Sequence, residues 1–247
     1  METNPNFPVF DWCKKFDTKE PYISTERSIG ADLFVPKFTD EFVEELAKVN
    51  EFKVRTIKGG IAFMAKTFED NIEKLNAEKE RVIESLKKEL GGDEDNLERS
   101  LKDIEGRYAN VQNLILRDNT VCVIDDERTK LIINKLCIVP TGILIDCPED
   151  YWYEVRRKSS SNRNNRRVML GTIDEDYTYS IGVELKPDDG RKVILTPDEK
   201  FAQIVFHKKV LTWGNSHEIS YADFIEKDSV KEKRTMRTGG WGSTNIK

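Results

Sequence analysis

Apolar positions along this chain follow two different periods. From Thr39 to about Leu116 they recur at threes and fours: Phe42, Val43 and Leu46 follow Thr39, a plausible N-cap, and then come Phe68, Ile72, Leu75, Val82, Leu86 and Leu90. After Gly91-Gly92 the series resumes at Leu97, Leu101, Ile104, Tyr108 and Val111. Two heptad-like stretches joined by a glycine turn predict an antiparallel helical hairpin, with the stripe as its seam and the charged remainder as its solvated face.

Either side of this block the pattern shortens. Up to about residue 37 the chain reads as extended, because Pro5, Pro8, Pro21 and Pro36 break any helix. From Thr120 onward come short apolar runs: Val121 to Ile124, Leu131 to Ile133, Leu136 to Val139, Gly142 to Ile145, Tyr179 to Leu185, Val193 to Leu195 and Phe201 to Phe206. Pro, Gly and Asp turns separate them with no intervening helix, which predicts an antiparallel β-barrel or jelly roll. The expected organisation is a mainly β body, residues 1–37 and 119–227, carrying an inserted helical hairpin, 38–118. A polar, glycine-bearing C-terminal arm, 228–247, is expected to be flexible and to close over an active site.

Composition narrows the function classes. The chain has 247 residues, 38% hydrophobic and 34% charged, enough for one large domain with much solvated surface. No apolar run approaches the roughly 18 residues of a membrane span, and the start Met-Glu-Thr-Asn-Pro-Asn lacks a signal-peptide pattern, so a cytoplasmic protein is expected. Cys13, Cys122, Cys137 and Cys147 show no C-x-x-C spacing and only His207 and His217 could join them, which argues against structural zinc. Cys122 and Cys137 read as core thiols.

A net charge of -5 gives no footprint for duplex nucleic acid. The one basic cluster places Arg156, Arg157, Lys158, Arg163, Arg166 and Arg167 within twelve residues. It suits a small polyanion or is simply a solvated loop.

Candidate chemistry begins at Gly171-Thr-Ile-Asp-Glu-Asp-Tyr177. Asp174 followed three positions later by Tyr177 sets an acid beside a ring able to hold something flat, although the same residues also describe an ordinary strand entry. Four further segments keep company with it: Gly30-Ala-Asp32-Leu33, Pro140-Thr-Gly-Ile143 leading to Lys158-Ser159-Ser160, Phe201-Ala-Gln203, and Gly239-Gly-Trp-Gly-Ser-Thr244. In content and order the five resemble the motifs of the trimeric dUTP pyrophosphatases. The resemblance covers residues 22–37 and 130–244 and leaves the helical block unexplained. Asp32 and Thr141 stand 109 positions apart where family members have a short link, so the hairpin looks like an insertion, and a phage source is an open question.

What the resemblance implies is a dUTPase-like β-barrel that hydrolyses dUTP to dUMP and pyrophosphate with Mg2+. By the same resemblance the partner would be dUTP, and the assembly a homotrimer whose subunits share active sites. Asp174 would orient and deprotonate the attacking water, and Tyr177 would stack on the sugar and disfavour a ribose hydroxyl. Asp32 and Gln203 would reach waters of a magnesium ion held mainly by the triphosphate. Lys158, Ser159 and Ser160 fall on the second motif's phosphate contacts, with lysine for the usual arginine. In the tail Gly240, Gly242, Ser243 and Thr244 would wrap the phosphates and Trp241 would cover the base. The family's γ-phosphate arginine falls on Met236, leaving Arg237 one residue late.

Two rival readings remain open. Within the same superfamily, dCTP deaminases, some of which also hydrolyse dUTP, use a glutamate ten residues after the corresponding aspartate and a serine and arginine four residues apart. Here Glu184 follows Asp174 by ten, and Ser159 precedes Arg163 by four. Strand alternation from Ile181 through Val183 to Leu185 puts Glu184 on the opposite, solvent-facing side. The second rival is a non-catalytic binding protein that uses this scaffold and the hairpin to engage a partner.

Overall fold

The computed structural model describes residues 10–25, 28–158, 166–169, 171–188 and 190–209, with Ser220, Asp223 and Glu226 beyond them. Two compact units divide the chain at Lys208 and Lys209. Every element named below lies in the first. In the second, the Ser220 hydroxyl donates to the Asp223 carboxylate at 2.7 Å and accepts from the Asp223 N–H at 3.1 Å.

Short antiparallel sheets build the body. A four-stranded sheet runs in the order β11 (Gly171–Ile173), β9 (Tyr151–Arg156), β14 (Lys200–Lys208), β2 (Gly30–Phe34). A five-stranded sheet runs β13 (Val193–Leu195), β6 (Leu131–Ile133), β5 (Thr120–Asp125), β4 (Gly60–Met64), β3 (Lys53–Ile57). A third joins β10 (Arg166–Val168), β12 (Gly182–Pro187) and β7 (Cys137–Pro140), and β1 (Trp12–Lys14) pairs with β8 (Ile143–Ile145). The fold is mainly β with an inserted helical region. One apolar cluster draws on all of these sheets, with Leu33, Phe63, Ile133, Val139, Tyr153 and Ile204 each no more than 1% exposed.

The helical stretch expected from Thr39 to Leu116 is interrupted. Helix α1 (Asp40–Asn50) starts at Thr39, whose hydroxyl accepts from the Phe42 N–H at 3.4 Å, and it ends at Glu51 in the left-handed region, φ 53. Its Phe42 and Leu46 are fully buried in the main core. Asn50 then clamps the helix to β7, its Nδ2 donating to the Ile138 carbonyl at 2.7 Å and its Oδ1 accepting from the Ile138 N–H at 2.8 Å.

Next comes a β-hairpin where helix was expected. Lys58-Gly59-Gly60 is its turn: Gly59 and Gly60 have φ of 100 and 141, and a Cβ on Gly60 would fall 1.9 Å from the Ile124 carbonyl oxygen. Spacing at threes and fours had bridged two segments that this glycine pair separates.

Only α2 (Phe68–Leu90) and α3 (Glu94–Asn119) form the projecting hairpin, about 35 and 39 Å long at the helical rise. Asp93 caps α3 by accepting from the Asn96 N–H at 3.2 Å. At the base, the Ala65 N–H donates to the Asn119 carbonyl at 2.8 Å. Phe68 roots the pair in a small second cluster with Ala62 and Met64, against Ile72, Ile115 and Leu116. Farther out the seam is only half covered, because two helices alone cannot enclose an apolar stripe; Leu101 is half-buried while Ile104 is 8% exposed.

Truncations should separate these two parts. Phe42→Ala should destabilise by about 3–5 kcal/mol and Leu101→Ala by less than about 2 kcal/mol, read from chemical denaturation. Equal losses would contradict the placement of α1 in the main core.

Candidate active site

Asp174 follows β11 directly, at the edge of the four-stranded sheet. The Tyr177 N–H donates to its carbonyl at 3.2 Å, so residues 174–177 form a closed turn. The Tyr177 hydroxyl donates to the Ser180 carbonyl at 3.1 Å, and its ring meets Tyr179 edge-on at 5.7 Å. Burial, followed by the Glu45 and Tyr179 charges, pushes the Tyr177 hydroxyl above its ordinary range.

The turn is anchored from behind by the second motif's Thr-Gly. The buried Ser180 hydroxyl accepts from the Gly142 N–H at 3.0 Å, and the buried Thr141 hydroxyl donates to the Ile181 carbonyl at 2.9 Å. Gly142 has φ 74, and a Cβ there would lie 2.6 Å from the Phe16 ring. No side chain fits that position without moving the ring.

In front of the turn lies an open cavity of about 430 Å³, lined by Asp174, Asp176, Tyr177 and Tyr179 together with Ile138 and Glu184. Glu184 corrects the solvent-facing expectation. Alternation does hold along β12, with Val183 and Leu185 buried, but the opposite face is a cavity wall.

Asp32, Lys158 and Gln203 meet elsewhere. Asp32 stands opposite Gln203 on β14, which in turn stands opposite Arg156 on β9. From there to Asp174, at the far edge of the sheet, is three strand spacings and four residues of register, roughly 20 Å. Asp32 is buried, its side chain 9% exposed, and both carboxylate oxygens are taken: Lys158 Nζ lies 2.6 Å from one and Lys200 Nζ 3.0 Å from the other. Gln203 Nε2 donates to the Arg157 carbonyl at 3.1 Å, and its Oε1 occupies space that a Cβ on Gly30 would crowd at 2.9 Å.

Lys200 was not singled out in the sequence, although it directly precedes the Phe-Ala-Gln segment. Its Nζ also sits 4.2 Å from the Tyr22 ring centroid. Ser159, Ser160, Arg163, Arg237, Gly240, Trp241, Gly242, Ser243 and Thr244 lie outside the described residues.

The dUTPase family profile matches residues 121–239, a span that takes in Asp174, Tyr177, Lys158 and Gln203. Residues 121–239 thus resemble a dUTPase domain. The deoxyuridine 5'-triphosphate nucleotidohydrolase of Chlamydia pneumoniae is 29% identical over 122 residues, covering 48% of this chain and 77% of that protein. Its namesake from Leptospira interrogans is 26% identical over 122 residues with the same coverage. Among solved structures, a Staphylococcus bacteriophage 80alpha dUTPase variant with dUpNHpp is 10% identical, covers 97% of this chain and 100% of that one, and gives a TM-score of 0.48. At that score the likeness is too loose to build on.

Gly142→Ala tests the support behind the 174–177 turn. The strained φ and the clash with Phe16 should together cost roughly 2–4 kcal/mol, seen as a lower melting temperature. An unchanged melting temperature would mean that the Phe16 contact is not held in solution.

Proposed function

We propose that this chain hydrolyses dUTP to dUMP and pyrophosphate. The observation that carries the reading is the cavity in which Asp174 and Tyr177 face the same space, within a segment matched by the dUTPase family. Relatives 26–29% identical over 122 residues are named as deoxyuridine 5'-triphosphate nucleotidohydrolases. Asp174, exposed at the cavity mouth, takes a proton from water as the water oxygen bonds to the α-phosphorus. The bond from that phosphorus to the α,β-bridging oxygen breaks, and pyrophosphate leaves. Tyr177, held by its bond to Ser180, presents its ring to the sugar.

Mg2+ is proposed as the ion that accompanies the triphosphate, where it would neutralise phosphate charge. Among the described residues no group of three or more His, Cys, Asp or Glu side chains is placed to hold a metal, and both Asp32 oxygens face lysines. Asp32 is thus engaged by lysines on both oxygens, and among the described residues no protein cage supports an ion. Gln203 is the remaining candidate to meet a nucleotide-borne ion.

Roughly 20 Å between Asp174 and the Asp32–Gln203 cluster is too far for one chain to close both halves on a single triphosphate. A homotrimer with sites shared between subunits resolves that separation, each subunit presenting Asp174 to a neighbour's Lys158 and Gln203. Among the described residues no helix is long and apolar enough to cross a membrane, and a cytoplasmic location, that of the host for a phage protein, remains part of the proposal.

Glu184 in the cavity favours one second reading, deamination of dCTP, whose signature is released ammonia. Glu184 lies in a wall shared with Asp174, as an acid acting on a base or its attacking water would require.

Asp174→Asn should lower turnover by about 10²–10⁴-fold while nucleotide still binds. Mixing it, after joint unfolding and refolding, with an equally inactive Gln203→Ala should restore part of the activity, because mixed assemblies contain sites with both groups intact. No recovery would contradict shared sites, and undiminished turnover by Asp174→Asn would move the base elsewhere.

A further inference from the structure

We propose that Asp32 is the internal counter-ion of a two-lysine phosphate site, made by Lys158 and Lys200, and that the nucleotide's phosphate chain displaces it. The nucleotide's identity rests on the dUTP reading; the exchange itself rests on the charges. One carboxylate faces two ammonium groups at 2.6 and 3.0 Å, so one positive charge is left over. Neighbouring Arg156 does not share this excess, since its Nε is 2.5 Å from the buried Glu154 carboxylate.

Accessibility differs between the partners. Asp32 is held at the edge of the four-stranded sheet by backbone bonds to Tyr22, 3.0 and 2.8 Å, and its carboxylate is almost wholly covered. The side chains of Lys158 and Lys200 are 19% and 36% exposed, so a ligand arriving from solvent meets the cations first. Each lysine is a compact charge with three donors on a flexible stem, able to pivot without moving the backbone. A phosphate chain brings more charge and more acceptor oxygens than one carboxylate, and so competes well for both. Lys200 keeps a second contact after the exchange, the Tyr22 ring 4.2 Å away.

A single lysine would have neutralised Asp32. The second makes the pair a preassembled cation site whose strength is held down by its own anion until a stronger one arrives. With a net charge of -5 over the whole chain, a short polyphosphate suits this local excess better than a long nucleic acid.

This role and that of a metal-water acceptor make opposite predictions for Asp32→Asn. Pyrophosphate binding is measured by calorimetry in EDTA, on full-length protein checked for folding by thermal melting. Removing an internal competitor lifts its burden on apparent affinity. Asp32→Asn should therefore bind pyrophosphate on the order of tenfold more tightly than wild type, and Lys200→Met and Lys158→Met more weakly. Equal or weaker binding by a folded Asp32→Asn overturns the proposal.

If that variant does not fold, the wild type still decides. The side-chain ammonium resonance of Lys158, assigned by its loss in Lys158→Gln, should shift on adding pyrophosphate; an unmoved signal overturns the exchange. Turnover of dUTP by wild type, assayed separately, reports on the nucleotide reading alone, so either claim can fail without the other.

Discussion

Ser180 joins two stretches of chain that are far apart in sequence, Thr141-Gly142 and the turn that ends at Tyr177. Its hydroxyl accepts from the Gly142 N–H and its carbonyl accepts from the Tyr177 hydroxyl, while the adjacent Ile181 carbonyl accepts from both the Thr141 N–H and the Thr141 hydroxyl. The turn bearing Asp174 and Tyr177 is thereby fastened to the strand that leaves the second motif. Because Ser180 and Thr141 are buried, breaking one of these bonds would strand a polar group away from water, which costs more than the bond itself contributes. Phe16 closes the back by packing where any side chain at position 142 would stand. An exposed acid and a half-exposed ring thus stay in place although neither belongs to a regular element, and the cavity in front of them keeps its shape.

Charge is arranged differently around Asp32, in the other half of the proposed site. There the fixed element is a buried carboxylate, and the adaptable elements are the lysines around it. Rigid backbone with mobile cations suits a ligand whose charge is large and whose conformations are several. The Asp174 side is the reverse: a rigid turn and an aromatic face, suited to a sugar and base that must be held in one orientation. Their separation on one chain gives the proposed assembly a chemical purpose, since bringing two copies together would join a selecting surface to a charge-neutralising one.

Much of this was legible in the sequence because local signals agreed with tertiary structure. Short apolar runs such as Val121 to Ile124 are strands, and Gly91-Gly92 does turn one helix back along another. Where the reading failed, a local signal was outvoted by a neighbour's pattern. Apolar spacing carried the helical reading across Lys58-Gly59-Gly60, yet the close approach of Ile124 admits only glycine there. Alternation placed Glu184 correctly on the face away from Val183; which elements cover that face depends on β7 and the 174–177 turn, and no periodicity encodes them. Lys200 and the occupied state of Asp32 were invisible for the same reason, since they arise from register between β2 and β14, about 170 residues apart in the chain.

Glu184 makes substrate choice the sharpest question that the cavity raises, for it lines the same space as Asp174 and Tyr177. The measurement that bears most directly on the account is pyrophosphate release by the full-length protein from dUTP, dCTP, dTTP and UTP, compared side by side. The account predicts release from dUTP above all others. Preference for any other nucleotide, or release from none, would contradict it.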